Sequence, residues 1–333
     1  MHLFKRDGKV LVGKRHRLFL DNDSNEVIRQ HTGERRFTER QLDDWRLILE
    51  NRIAWLGKRG APYLFLVPPN AHSVYPEDLP DGIVASPERP VLQLIDHLAQ
   101  TGSYARVIYP LEQILAVKPH PLLYSKTDPH WTSVAAFVAY ELLIEEIAKL
   151  LPLNKLAESD IVFRRRPVQG ELGYKLGLGP TPDIWGHVKH PRAQLVSDNQ
   201  VHNRGSLVVT ECPEVPPTTC LVFGDSFANR LLPLFASTFG HLAQAYSATL
   251  DYSLVEEFQP DVVISVLNER FLMELPYDIG APSVRDRAKE KIAAGRLRPR
   301  TFQRQEPRLP SAGVEEEQQA DEHHGSGDDH QER

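Results

Sequence analysis

Apolar positions along this chain recur at two spacings. Leu42, Trp45, Leu49, Ile53 and Leu56 fall at helical intervals. Thr38 with Gln41 three residues on forms a capping box ahead of them, and Gly60 closes the run. PYLFLVPP follows as an apolar run of strand length. The alternation then repeats: PVLQLIDHLAQTG predicts a helix, YARVIYP a strand, and TSVAAFVAYELLIEEIAKLL a long helix opening at Thr132 or Ser133. Ahead of all these, KVLVGKRHRLFL reads as a short hairpin leading into a polar loop. Residues 155–217 are poor in periodicity and rich in Gly, Pro and Arg. They are too long for an ordinary connection, and read as an insertion that shapes a site and carries strands of its own. Beyond them TTCLVFGDSF is a strand entering a tight turn, ANRLLPLFASTFG a helix ending at Gly240, and HLAQAYS and PDVVISVLNERF two more strands. Strands alternating with helices predict an α/β protein with a mostly parallel sheet covered on both faces.

Composition adds limits. The chain is 333 residues long, 41% hydrophobic and 25% charged, with a formal net charge of -6 that carries no general signal for nucleic acid. Eight acidic residues and one basic one lie in 314–333, so the body is close to neutral. The expected division is one catalytic domain over 1–280, then 281–333 as a tail. Within that tail 284–308 is basic, a surface helix that frays, and the acidic remainder is disordered. Cys212 and Cys220 flank CPEVPPTTC, either as a loop-closing disulfide or as two unrelated thiols. Asp21 to Asn25 imitate the opening of a calcium loop, but Glu26 and Thr32 stand where glycine and a bidentate glutamate are required. No run approaches the roughly 18 apolar residues of a membrane span. Charges also interrupt every apolar stretch near the start, so the sequence as given predicts a cytoplasmic protein.

Two stretches carry candidate chemistry. In LVFGDSFANRLL, residues 221–223 end a strand, Gly224 permits a sharp turn, and Ser226 sits at a helix entry. There its hydroxyl faces the crevice where open α/β sheets bind ligands, beside free N–H groups. A serine at that place is equally a favoured N-cap. In YSKTDPHWT, Asp128 and His130 precede a helix in extended backbone, where residues two apart point the same way. Pro129 biases Asp128 away from helix. The carboxylate then bonds one imidazole nitrogen and leaves the other for a serine. Alone, the pair also reads as a turn residue and a capping or core histidine. As a metal pair it lacks a third ligand.

Taken together, Y-x-K-T-D-x-H-W-T and the later G-D-S-F resemble the alginate O-acetyltransferase family of SGNH-hydrolase-like proteins. KVLVGKRHRLFL, WLGKRGAPYLFLVPPNAHSVYPEDLP, GELGYKLG and VLNERF support the resemblance, which covers about residues 8–275. It implies a flavodoxin-like three-layer sandwich and a Ser226–His130–Asp128 triad in permuted order, Asp and His ahead of Ser. It further implies acetyl transfer through an acetyl-serine to a sugar or polysaccharide hydroxyl. No cofactor is implied. Acetyl groups would be relayed by a membrane-bound O-acyltransferase, at a periplasmic site if the start is truncated. Glu171 and His72 depart from the family's aspartate and lysine; neither is expected to touch the triad, and both are expected to alter the acceptor pocket. The Ser226 N–H is one expected oxyanion donor, with Asn268 or Arg270 at a strand end as another, or else as a surface pair. Trp131 either stacks on a sugar ring or joins the core. Trp185 and Tyr174 are candidates for acceptor contacts, and Asp225 is structural. An acetyl-esterase would use the same residues, and a non-catalytic carbohydrate-binding relative is the third reading.

Overall fold

The computed structural model describes residues 9–118 and 122–297. In chain order its elements are β1 (Val10–Val12), β2 (Leu18–Leu20), α1 (Val27–His31), α2 (Glu39–Gly57), β3 (Tyr63–Leu66), α3 (Ala71–Val74), α4 (Pro90–Gln100) and β4 (Val107–Ile108). There follow α5 (Leu111–Val117), α6 (Ser133–Ala148), β5 (Ile161–Val168), α7 (Glu171–Lys175), β6 (Thr181–Val188), β7 (Gln194–Asp198) and β8 (Leu207–Glu211). Last come β9 (Thr219–Gly224), α8 (Leu232–Thr238), β10 (His241–Tyr246), α9 (Tyr252–Phe258), β11 (Val262–Val266) and α10 (Val284–Ala293).

Seven strands form the central sheet in the order β4-β3-β11-β9-β10-β8-β7. β4, β3, β11, β9 and β10 are parallel, while β8 and β7 add an antiparallel edge. Both faces are covered, as buried parallel strands require. On one face Phe65, Phe223, Leu221, Ala243 and Val263 pack against Trp45, Leu49 and Leu56 of α2, Leu94 of α4 and Leu254 of α9. The alternating positions Val222, Leu242, Ile264 and Val266 are buried on the other face. The capping box predicted for α2 is present: Gln41 N donates to Thr38 Oγ1 and Thr38 N to Gln41 Oε1.

Residues 155–217 divide in two. β7 and β8 join the central sheet, and only β5, α7 and β6 stand outside it, β5 and β6 as a two-stranded hairpin. Cys212 and Cys220 are free and buried. The strand β10 lies between them, so their backbones are about 10 Å apart, against the roughly 7 Å limit for a disulfide. α10 begins at the Ser283 cap inside the basic stretch. The rest of that stretch from residue 298, and the acidic tail, lie outside the described residues. Among those described, no helix is long and apolar enough to cross a membrane.

Candidate active site

β9 sits between β11 and β10, and its carboxyl end delivers Gly224, Asp225 and Ser226 to the crevice. Gly224 is needed for close packing and not for an unusual φ. A Cβ there would meet Ala228 Cβ at 2.7 Å and Val266 O at 3.2 Å. Asp225, not Ser226, caps the 3-10 turn that follows: its Oδ1 accepts from Phe227 N (2.8 Å) and its Oδ2 from Asn268 N (2.7 Å). Burial pushes the Asp225 carboxyl up, and these N–H groups with the charge of Arg270 oppose that. With the cap filled by its neighbour, the Ser226 hydroxyl is free for chemistry.

The partner arrives from 96 residues earlier in the chain. Ser226 Oγ lies 2.7 Å from His130 Nε2, and His130 Nδ1 lies 2.8 Å from Asp128 Oδ1. Asp128 also accepts from His130 N (2.9 Å) and, on Oδ2, from Glu171 N (2.9 Å). Burial alone would push the Asp128 carboxyl up. The hydrogen bond and charge of His130 outweigh it, helped by the N–H groups of Glu171 and His130, and its pKa falls to about 2. An ionised Asp128 accepts the Nδ1–H, so the Nε2 lone pair faces the serine hydroxyl.

The Asp-His segment is braced on every side. Leu18 N donates to Lys126 O (2.7 Å), and Arg17 of the same hairpin donates to Tyr124 O and Ser125 O (3.2 Å each) while paired with buried Asp78 (2.9 Å). Leu172 N and Gly173 N of α7 both donate to Thr127 O (3.0 Å). Gly170 makes that approach possible, since a Cβ would meet Thr127 O at 2.3 Å. Trp131 fastens the histidine and serine segments together, its Nε1 donating to Phe227 O (3.1 Å), with the two rings 5.3 Å apart.

Several sequence expectations change here. Trp131 is fully buried, so it has no face for a sugar; it sets the distance between His130 and Ser226. Asn268 is also fully buried, and its Nδ2 donors go to Pro68 O (2.9 Å) and Pro69 O (3.3 Å), which leaves nothing for an oxyanion. Arg270 is buried, its guanidinium over the Phe227 ring (5.3 Å) and the Phe271 ring (4.7 Å), and its Nη1 has no partner among the described residues. Among the described residues neither makes a hydrogen bond to Ser226. His72 belongs to the core: its Nε2 bonds Leu20 O (2.9 Å), and burial lowers its pKa to about 4. Glu171 does touch the triad, through its main-chain N–H. Tyr174 is largely exposed on α7, whereas the Trp185 ring is covered by the guanidiniums of Arg230 (3.6 Å) and Arg166 (4.3 Å).

One further candidate group carried no signal in the sequence. Tyr246, at the end of β10 and opposite Gly224 in register, brings its phenol close to Ser226. Burial, then the charge of Asp225, pushes this phenol up, against the opposing contacts of Ser226, so it remains neutral. The same tyrosine lines an open cleft of about 200 Å³ with Gly224, Asp225, Leu267 and Phe271. In the sequence it is one more aromatic at a strand end.

Comparison with known proteins gives the family and the fold. Residues 10–248 match the family described as SGNH hydrolase-like domain, acetyltransferase AlgX. The probable alginate O-acetylase AlgJ of Pseudomonas syringae pv. tomato is 29% identical over 174 residues, 51% of this chain and 42% of that protein, so the match spans less than half of that relative's length. Two solved structures share the fold. PatB1 of Bacillus cereus superposes with TM-score 0.58 at 16% identity, over 79% of this chain and 96% of that one. The O-acetyltransferase domain of Pseudomonas putida AlgJ superposes with TM-score 0.54 at 17% identity, over 82% and 96%. The chain belongs to the AlgX-type family of SGNH hydrolase-like acetyltransferase domains.

Proposed function

We propose that the protein is a polysaccharide O-acetyltransferase that works through Ser226, His130 and Asp128. The observation that carries this reading is the relay itself, with Oγ, Nε2, Nδ1 and Oδ1 joined at 2.7 and 2.8 Å. Ser226 Oγ attacks the carbonyl carbon of an acetyl donor while His130 Nε2 takes its proton. The tetrahedral oxyanion rests against the Ser226 N–H and the Tyr246 phenol, which is held neutral for that purpose. Collapse expels the donor's leaving group with the proton from His130 and leaves acetyl-Ser226. A sugar hydroxyl then gives its proton to His130 and attacks the acetyl carbon, and the proton returns to Ser226 as the acetylated sugar leaves. Asp128 stays ionised throughout and fixes the imidazole tautomer. The donor is supplied by a membrane-bound O-acyltransferase, in keeping with the family resemblance, and the site of action faces polysaccharide outside the cytoplasm.

Hydrolysis is the second reading. The side chains of His130 and Asp128 are 23% and 22% accessible, so water reaches the acetyl-enzyme as well. The test offers an activated acetyl ester with and without oligosaccharide. Acetylated sugar establishes transfer, and acetate alone makes the protein an esterase. Trapped acetyl-Ser226 should appear by intact mass and vanish in Ser226→Ala. A Ser226→Ala protein as active as the parent removes the mechanism.

A further inference from the structure

Two buried groups of opposite charge flank the serine turn without forming a contact ion pair. Asp225 is the first. Its oxygens accept from two main-chain N–H groups, Phe227 N in the serine turn (2.8 Å) and Asn268 N at the end of β11 (2.7 Å). Its own N–H donates to Val266 O (3.1 Å), so one residue laces the carboxyl ends of β9 and β11 together.

Arg270 is the second. Its guanidinium lies over the Phe227 and Phe271 rings, and its Nη1 is buried without a partner. Among the described residues no acid lies within ion-pair distance of it. The neighbouring carboxylate, Glu269, is already held by Asn70 N (2.6 Å), Ser73 Oγ (2.8 Å) and Tyr109 Oη (2.8 Å). A buried charge left without a close partner is expensive, and aromatic faces offset only part of that cost. Both rings bear on the site. Phe227 lies 5.2 Å from the His130 ring, and Phe271 lines the cleft with Asp225 and Tyr246.

Burial pushes the Asp225 carboxyl up, and the charge of Arg270 pulls against it, together with the two N–H groups and His130. The ionisable groups facing Asp225 are His130 ahead of α6, Arg270 after β11 and Tyr246 on β10. Arg204, Glu274 and Arg287 share its cleft. Ionisation matters because a carboxylate offers only acceptors, whereas a protonated carboxyl turns an O–H donor into a site built of donors. Hydrogen bonds to the charged form are also roughly twice as strong.

We propose that Arg270 is a positioning residue for Ser226: its unshared charge keeps Asp225 a carboxylate, and that carboxylate holds the turn in which Ser226 meets His130. The inference rests on Ser226 as the nucleophile of the transferase reading and adds to it a control on how the site withstands acid.

The experiment titrates Asp225 directly, by carbon-13 NMR of aspartate carboxyls assigned with Asp225→Asn, alongside kcat/KM for acetate release from an activated acetyl ester. Arg270→Met keeps contact with the two rings and drops the charge, and Arg270→Lys restores the charge; melting curves confirm that each is folded. The Asp225 midpoint should rise by about one pH unit in Arg270→Met, the low end of what an opposite charge supplies to a carboxyl, and stay near the parent's in Arg270→Lys. On the acid side, kcat/KM of Arg270→Met should fall with one proton more than that of Arg270→Lys. His130 titrates there too, so both changes are repeated on Asp225→Asn, where the two acid limbs should coincide. A midpoint that Arg270→Met leaves in place, acid limbs that coincide with Asp225 present, or a difference that persists with Asp225→Asn overturns the proposal. Should Arg270→Met fail to fold, the parent protein still decides: Asp225 ionised at pH 7 supports the role, and Asp225 protonated there overturns it. Absence of acetyl-Ser226 on the parent protein would instead sink the transferase reading.

Discussion

Replacing Glu171 by proline isolates one hydrogen bond to the triad. Glu171 is the first residue of α7, and Gly170 before it has φ -72° and ψ 144°, the extended backbone that a residue preceding proline adopts. Proline is at home at the first helical position because its missing N–H has no partner within the helix. What disappears is the 2.9 Å bond from Glu171 N to Asp128 Oδ2. A hydrogen bond to a charged group contributes about 1.5–3 kcal/mol. Asp128 keeps both bonds from His130, so the loss should lie at the low end, about 1.5 kcal/mol, or about tenfold in kcat. Proline also deletes the exposed Glu171–Lys175 pair. The control is therefore Glu171→Ala, which loses that pair, worth about 0–1 kcal/mol, and retains the N–H. The assay is acetate release from an activated acetyl ester at saturation, with thermal melting to confirm that both variants are folded. The proline variant should be about tenfold slower than the alanine variant, which should match the parent within about twofold. Equal rates for the two would refute the claim that this amide orients Asp128.

Three further expectations follow from the site and from the core beside it. Tyr246→Phe removes one oxyanion donor and should lower kcat by about 10²–10³ with little change in melting temperature; a rate within threefold of the parent rules out the donor role. Asn268→Ala strips the Pro68 and Pro69 carbonyls of their donor and should lower unfolding free energy by about 1–3 kcal/mol while the folded protein keeps its rate. A large kcat loss at unchanged stability would return Asn268 to the oxyanion. His31 and His72 are buried and neutral, lowered to about 3 and about 4: His31 by burial, then by the charges of His72 and Arg89, and His72 by burial, then by Arg270 against its bond to Leu20 O. Below pH 6.5 the unfolded chain binds protons that the folded one refuses, so stability is complete above that pH and lost as pH falls toward about 4. The slope is about 1.4 kcal/mol per histidine per pH unit. Urea midpoints at pH 7 and pH 5 test this, and a flat profile contradicts it.

Much of the scaffold was legible because it is written in local periods. The α2 stripe and its capping box, the β1/β2 hairpin, α4, α6 and the central strands all announce themselves through spacing and end signals. The short helices α1, α3, α5 and α9 did not, since four to seven residues hold too little of a helical period to be read. The insertion was misjudged in extent because β7 and β8 look irregular until β10 supplies their partner.

At the site, sequence by itself determined the Asp128–His130 pair. The spacing of two is closed by a local turn in which His130 N donates to Asp128 Oδ1, not by extended backbone, and proline between them stiffens it. It also determined that Ser226 stands where a strand turns into helix-like backbone. Only the tertiary structure decided the remainder. Whether the Ser226 hydroxyl was spent as a cap or left for His130 turned on Asp225 taking the cap. Trp131, Asn268 and His72 bear side chains suited to a sugar or an oxyanion, yet packing buries them and engages Trp131 Nε1, Asn268 Nδ2 and His72 Nε2 elsewhere. The groups left for chemistry include a main-chain N–H and a tyrosine that no motif marks. The physical reason is that sequence encodes which groups a residue carries and how the nearby backbone runs. Which of those groups remain unpaired and facing solvent is settled by neighbours from distant parts of the chain.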